Sequence, residues 1–207
     1  MNLVFTIAVG SELKEIGKHT IPKIKAYAKK CGARHIHYDN IMHYEEPCDI
    51  KMEMKNLLDD YDRILYVDVD VVISDNAPNL FELVPDDKLG IYIESKHVPE
   101  RIIQHEHVWD LNKLGYDKCK FTFNAGVMLL SQCHKDIIRM PTEVSFKDLL
   151  RFREQLWLNY ILRDEDVYDI THKFNHMDLS GEPEDGVYFR HYACGDRKKL
   201  LELLKEI

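Results

Sequence analysis

The chain has 207 residues, 45% of them hydrophobic, enough for one substantial core or a core with a small lobe. Thirty-six acidic against 28 basic residues give a net charge of -8, which argues against a nucleic-acid surface built from clustered Lys and Arg. No apolar run reaches membrane-spanning length, and "MNLVFTIAVGSELKE" lacks the basic leader and cleavage site of a signal peptide.

"LVFTIAV" (Leu3 to Val9) is a continuous apolar run closed by Gly10 and predicts a buried strand. "IPKIKAYAKKCG" carries Ile21, Ile24 and Ala28 at helical spacing, with Pro22 in the first turn and Gly32 past the end. "RHIHY" predicts a second strand, and "DIKMEMKNLLDDY" another helix. "RILYVDVDVVI" predicts the third and strongest strand. Further strands are expected at Leu89 to Glu94, Phe121 to Ser131, "VYDIT" and "VYFRHYA", with helices at Phe146 to Leu162 and Asp196 to Lys205. Strands alternating with helices mean βαβ units and a mostly parallel sheet. The polar and aromatic segment Lys96 to Lys120 suits a lobe or lid over a site. The chain stops on "LLELLKEI", as a domain cut from a longer polypeptide would.

Five scattered cysteines, Cys31, Cys48, Cys119, Cys133 and Cys194, form no C-x-x-C pair and read as reduced, hence a cytoplasmic protein. The histidine groups at His35 and His37 and at His105 and His107 lack structural-zinc spacing.

Asp68 and Asp70 interrupt the most apolar stretch, where unpartnered carboxylates are costly. Ligands of open α/β sheets bind beyond the carboxyl ends of the strands. Residues i and i+2 of a strand point the same way, so both carboxylates can face one ligand. A hard divalent cation with a diphosphate fits oxygen donors; turn or N-cap aspartates at a strand end are the alternative.

Five pieces of sequence resemble metal-dependent, D-x-D glycosyltransferases of the GT-A fold. They are similar to the retaining branch of glycogenin and the lipopolysaccharide galactosyltransferases, and more distantly to α-galactosyl and xylosyl transferases. The pieces are "YDRILYVDVDVVI", "FNAGVMLL", "EQLWLN", "KFNHM" and "FRHYACGDRKK", in order from about Leu3 to Lys199. The compact size also resembles small glycosyltransferase domains of large DNA viruses of algae, which would place the chain in the host-cell cytoplasm. The resemblance implies an α/β, Rossmann-like GT-A domain over 1–207, its mostly parallel central sheet flanked by helices, with a small acceptor-side lobe. The nucleotide would bind in about 1–95, and the sugar and acceptor in about 96–207.

It further implies transfer from a UDP-sugar to a glycan or other hydroxyl acceptor with Mn²⁺ or Mg²⁺, retaining the anomeric configuration. No nucleic acid and no membrane insertion are implied. Asp70 would bind the metal, Asp68 the metal or the ribose hydroxyls, and His191 would complete the coordination; a hydrogen-bonded core histidine is the alternative for His191. Gly195 would let backbone approach the diphosphate. Lys198 or Arg197 would neutralise it, because this chain has three residues between His191 and Gly195 where the family usually has two. Asn124, Ala125 and Gly126 would contact the donor sugar, unless they form a plain strand with a glycine bulge. Gln155 would lie near the anomeric carbon, with Glu154 where the family has Asp; both could instead be a solvated helix face. Lys51, with Lys55 as its rival, would reach the donor. Thr6, Ala8 and Val9 would cradle the uracil, or simply be core strand.

Two other readings compete. A haloacid-dehalogenase-like phosphatase would use Asp68 as nucleophile and Ser95 at a strand end, but leaves the "FNAG" and "HYACG" matches unexplained. A non-catalytic nucleotide-sugar binding module would share the binding residues.

Overall fold

The computed structural model describes residues 1–97, 121–141, 153–177, 183–193 and 197–205. Gly195, His105, His107, Cys119, Cys194, nearly all of the Lys96 to Lys120 segment and the first turns of the Phe146 to Leu162 helix lie outside the described residues.

Among the described residues, eight strands form two sheets. Strands β1 (Asn2–Ile7), β2 (Arg34–Tyr38), β3 (Arg63–Val67), β5 (Leu89–Ile93), β6 (Phe123–Ser131) and β7 (Val167–Asp169) make a six-stranded sheet in the order β2-β1-β3-β6-β5-β7. Five of these strands run one way; β6 is antiparallel to both neighbours, β3 and β5. Strands β4 (Val71–Ile73) and β8 (Phe189–His191) pair as an antiparallel ribbon. This is a mixed α/β fold with a mostly parallel central sheet. Because β6 lies between β3 and β5, sequence from beyond residue 95 completes the sheet that the first 95 residues begin.

Alternation along β1 feeds both sides of the sheet. Leu3, Phe5 and Ile7 enter one apolar layer, with Ile50, Met54, Leu58, Leu156 and Trp157. Val4 enters the other, with Ile24, Tyr27 and Ala28 of the long helix Ser11–Lys30 and with Val71, Ile73 and Phe189 of the ribbon. Each such side chain contributes roughly 1.5–3 kcal/mol on burial. The Tyr27 ring meets Phe189 edge-on at 5.2 Å, and its hydroxyl donates to the Pro78 carbonyl at 2.8 Å. The ribbon is thereby fixed on the helix side of the large sheet.

Two expected helices differ. The long helix starts ten residues before Ile21 and carries Pro22 in its interior. Pro22 has no N–H for the Lys18 carbonyl, but both residues lie on the exposed side, where that carbonyl is open to solvent. Burial of Ile16, Gly17 and Thr20, with Ile16 packed in a cluster with Ala8, Val69 and Leu200, extends the helix upstream. The helix expected after residue 50 is a 3-10 turn, Pro47–Glu53, followed by the short helix Met54–Leu57.

Candidate active site

The run "RILYVDVDVVI" is two strands, not one. β3 ends at Val67, where the Asp68 N–H still reaches the Gly126 carbonyl (2.8 Å). The Val71 N–H then closes a turn onto the Asp68 carbonyl (3.1 Å), and β4 departs into the other sheet. Asp68 and Asp70 therefore share a site through this turn, at the carboxyl end of β3, and not through strand alternation. Asp70 is 2% exposed, while the Asp68 side chain is 26% exposed. The Tyr66 hydroxyl, buried in β3, donates to Asp68 Oδ1. Burial and the Asp68 charge raise the Tyr66 pKa well above its ordinary value, so it remains a donor.

The ribbon delivers His191. In its register Val71 faces His191, and the Tyr192 N–H donates to the Asp70 carbonyl at 3.0 Å. His191 Nε2 comes to 3.3 Å from Asp70 Oδ1 and 3.7 Å from Asp68 Oδ2. One ligand atom from each of the three residues lies within 4.8 Å of the others. Two carboxylates and an imidazole converging on one point make an oxygen and nitrogen ligand set that could hold a divalent cation such as Mn²⁺ or Mg²⁺. Arg197, at the start of the helix Arg197–Lys205, donates from Nε to Asp70 Oδ2 at 2.8 Å. Burial alone would raise the Asp70 pKa; His191 and Arg197 outweigh it and hold the carboxyl at about 2.

Gly126 makes room for the histidine. A Cβ there would meet His191 Cε1 at 2.3 Å and Nδ1 at 2.7 Å. Its functional weight lies in this close approach to a ring 65 residues away, which a strand reading of "FNAG" does not contain.

Asn124, Ala125 and Gly126 open β6 beside the aspartate turn. The helix Arg153–Ile161 is clamped to that strand by Asn159, which bonds both the N–H and the carbonyl of Phe123 (2.8 and 2.9 Å). The clamp brings Gln155 Oε1 to the Ala125 N–H (3.1 Å) and the Asn124 Nδ2 (3.2 Å). Glu154 is buried, not solvated, and accepts from Lys51 Nζ at 3.1 Å. Lys51 also donates to the Ala125 carbonyl (3.1 Å) and lies 3.5 Å from Asp68 Oδ1. Burial opposes the charge on Lys51, but Asp68 and Glu154 prevail and raise its pKa. Burial likewise opposes the Glu154 charge, and Lys51 lowers the pKa below the usual carboxylate range.

The other sequence-derived residues stand further off. Lys55 is half-buried and makes none of these contacts, whereas Lys51 is buried among them. Lys198 is exposed one position after Arg197. Thr6 and Ala8 are almost wholly buried, and a Cβ at Gly17 of the long helix would come to 3.6 Å from the Ala8 methyl; only Val9 of that trio is partly accessible. Sequence reading gave no role to Tyr66, which lies two residues before Asp68 in an apolar run, or to Asn175 within "KFNHM". Asn175 is fully buried, with Oδ1 at 2.9 Å from His191 Nδ1.

A sheet of this order, with carboxylates in a turn beyond β3 and a histidine returned from β8, agrees with the GT-A glycosyltransferase expectation drawn from the sequence. The chain belongs to glycosyl transferase family 8, whose model matches residues 11–186. It is similar in fold to a glycosyltransferase involved in the glycosylation of the major capsid of PBCV-1 (TM-score 0.68, 11% identity, covering 100% of this chain and 99% of that one). It is also similar to the galactosyltransferase LgtC in complex with donor and acceptor sugar analogues (TM-score 0.63, 18% identity, 100% and 96%). Mouse xyloside xylosyltransferase 1 resembles it as well (TM-score 0.58, 15% identity, 94% and 98%). At these identities the structural likeness carries the fold alone. No curated protein matches the sequence significantly. Among the described residues no helix is long and apolar enough to cross a membrane.

Proposed function

We propose that this glycosyltransferase moves a sugar from a UDP-sugar to a hydroxyl of a glycan, with Mn²⁺ and with retention at the anomeric carbon. The observation that carries the reading is the convergence of Asp68, Asp70 and His191 within 4.8 Å, next to the Asn124–Gly126 strand opening and Gln155. Asp70, His191 and Asp68 would hold the ion, Asp68 also lying within reach of the ribose. When bound, the ion supplies Lewis-acid stabilisation of the leaving UDP. A nitrogen ligand favours Mn²⁺ over Mg²⁺.

Arg197 adds preorganised positive charge for the diphosphate, with Lys198 and the Gly195 backbone as its neighbours in sequence. Asn124, Ala125 and Gly126 contact the sugar, and Gln155 lies towards its anomeric carbon. Val9, with the chain at Thr6 and Ala8, meets the uracil. Glu154 is committed to Lys51, which supports front-face attack rather than a covalent intermediate. In that step the bond from the anomeric carbon to UDP breaks, the bond to the acceptor oxygen forms, and the acceptor proton passes to the diphosphate. Residues 1–207 act as one GT-A domain, nucleotide side up to about 95 and acceptor side beyond.

Melting curves with nucleotides test the reading. UDP with Mn²⁺ at about 100 times its Kd should stabilise by about 2.7 kcal/mol, a rise of roughly 5–10 °C for a chain of this size. Chelator should remove most of the rise. A larger shift with GDP, or none with any nucleotide, would overturn the UDP reading. A panel of UDP-sugars with Mn²⁺ should give slow UDP release, which a pure binding module would not. Phosphate release from a phosphomonoester, lost on Asp68→Asn, would favour a phosphatase.

A further inference from the structure

Two backbone N–H groups settle the amide orientations around the site. The Ala125 N–H donates to Gln155 Oε1 (3.1 Å), and the Gly126 N–H donates to Asn124 Oδ1 (2.9 Å). A backbone N–H only donates, so both of those side-chain atoms are oxygens. Asn175 faces the same Asn124 Oδ1 at 3.1 Å and the Asn124 carbonyl at 3.4 Å. Both are acceptors, so Asn175 must turn its NH₂ towards Asn124. Its oxygen then faces His191 Nδ1 at 2.9 Å. An amide oxygen only accepts, so Nδ1 carries the proton. In the neutral ring Nε2 is the bare nitrogen, and Nε2 is the atom that faces Asp70 and Asp68.

Asn175 is well held for this task. It is fully buried at the end of the turn His172–Phe174. Its segment is laced to the β8 region by backbone bonds from Tyr188 to Lys173 (2.8 Å), His176 to Phe189 (3.0 Å) and His191 to His176 (2.7 Å). The hydrogen-bond chain then runs from His191 through Asn175 and Asn124 to Gln155, with Asn124 Nδ2 donating to Gln155 Oε1 at 3.2 Å.

We propose that Asn175 is a positioning residue: it fixes His191 as the Nδ1–H tautomer, leaving Nε2 free for a divalent cation. Through Asn124 it ties that geometry to Gln155 on the sugar side. The inference rests on the reading of Asp68, Asp70 and His191 as metal ligands. Partners of this kind, on the far nitrogen of a metal-binding histidine, typically contribute 10–100-fold to metal affinity or activity.

The test begins with the unmodified, metal-free protein, labelled with ¹⁵N-histidine at mildly alkaline pH. His191 resonances, assigned by their loss in His191→Gln, should show a protonated Nδ1 and an unprotonated Nε2 that shifts on adding Mg²⁺. The opposite tautomer would overturn the proposal, whatever the variants do. Calorimetry with Mn²⁺ alone should then show Asn175→Leu weakened by about 10–100-fold. Asn175→Asp, which still offers an oxygen to Nδ1–H, should recover most of that loss while raising the KM for UDP-sugar, since its link to Asn124 is cut. If His191→Ala also leaves Mn²⁺ affinity unchanged, the metal reading itself fails. If His191→Ala weakens Mn²⁺ binding and Asn175→Leu does not, the tautomer role alone is wrong. Should Asn175→Leu fail to fold, the ¹⁵N spectrum decides.

Discussion

Gly126→Ala would drive a methyl group into the proposed metal ligand. The new Cβ would lie 2.3 Å from His191 Cε1, 2.7 Å from Nδ1 and 2.9 Å from Asn124 Oδ1, where ordinary contact begins at 3.4 Å. The ring must therefore retreat by about 1 Å. Coordination tolerates only about 0.2 Å of error, so Nε2 would leave the ligand shell. A misplacement of that size costs about 100-fold in turnover. Overpacking also destabilises the fold by about 1–3 kcal/mol, or roughly 2–12 °C in Tm for a chain of this length. Gly90→Ala separates the two effects. Gly90 lies in β5 of the same sheet, away from the aspartate turn, and a Cβ there would meet a Val84 methyl at 3.0 Å and Leu129 Cβ at 3.1 Å. It should lower Tm comparably and leave Mn²⁺ binding intact. The assay is Mn²⁺ calorimetry and UDP release beside melting curves for both variants. Wild-type Mn²⁺ affinity in Gly126→Ala would refute the reasoning.

Three further outcomes are expected. Lys51→Met leaves Glu154 buried without its cation and should cost about 3–5 kcal/mol in urea unfolding; Lys51→Met with Glu154→Leu should regain stability without turnover, and an unchanged midpoint in the single variant would contradict the pairing. Arg197→Met should weaken UDP binding by roughly 10–100-fold, as loss of charged hydrogen bonds does, and Lys198→Met should hardly change it; the reverse ranking would move the diphosphate role to Lys198. Burial, helped by His37, lowers the His35 pKa to about 4 from an ordinary 6.5. The folded state thus prefers the neutral ring and the unfolded chain binds the proton first, so the contribution is full above pH 6.5 and is lost as pH falls towards 4. His35→Gln should flatten the stability profile in that window, and an unchanged slope would show that His35 is not its source.

The fold was legible wherever a residue pattern is local. The β1 run, "RHIHY" and the long strand opening at Phe123 keep close to their expected places; for β1 and β6 the signal is an unbroken run of consecutive residues buried on both faces of the sheet. Asp68, Asp70, Asn124, Gln155 and His191, from four of the pieces resembling known transferases, lie together, whereas Lys198 stands apart and Gly195 lies outside the described residues. What failed depended on distant partners. Nothing near Pro22 says that Ile16 and Thr20 will be buried and carry the helix through it. Nothing in "VDVDVV" says that the chain leaves one sheet for another through a turn that holds both aspartates. Lys51 and Glu154 are 103 residues apart, and each looks like a surface charge until the fold joins them. Asn175 carries no charge and no metal-ligand signature; its place becomes visible only when β8 and the strand opening at Asn124 bracket it.

The most direct measurement is manganese anomalous diffraction from crystals grown with UDP and Mn²⁺. The expected result is one peak within roughly 2.0–2.4 Å of Asp68, Asp70 and His191 Nε2, bridging to the diphosphate. A UDP complex whose manganese lies away from His191, or which holds no manganese at all, would contradict the account.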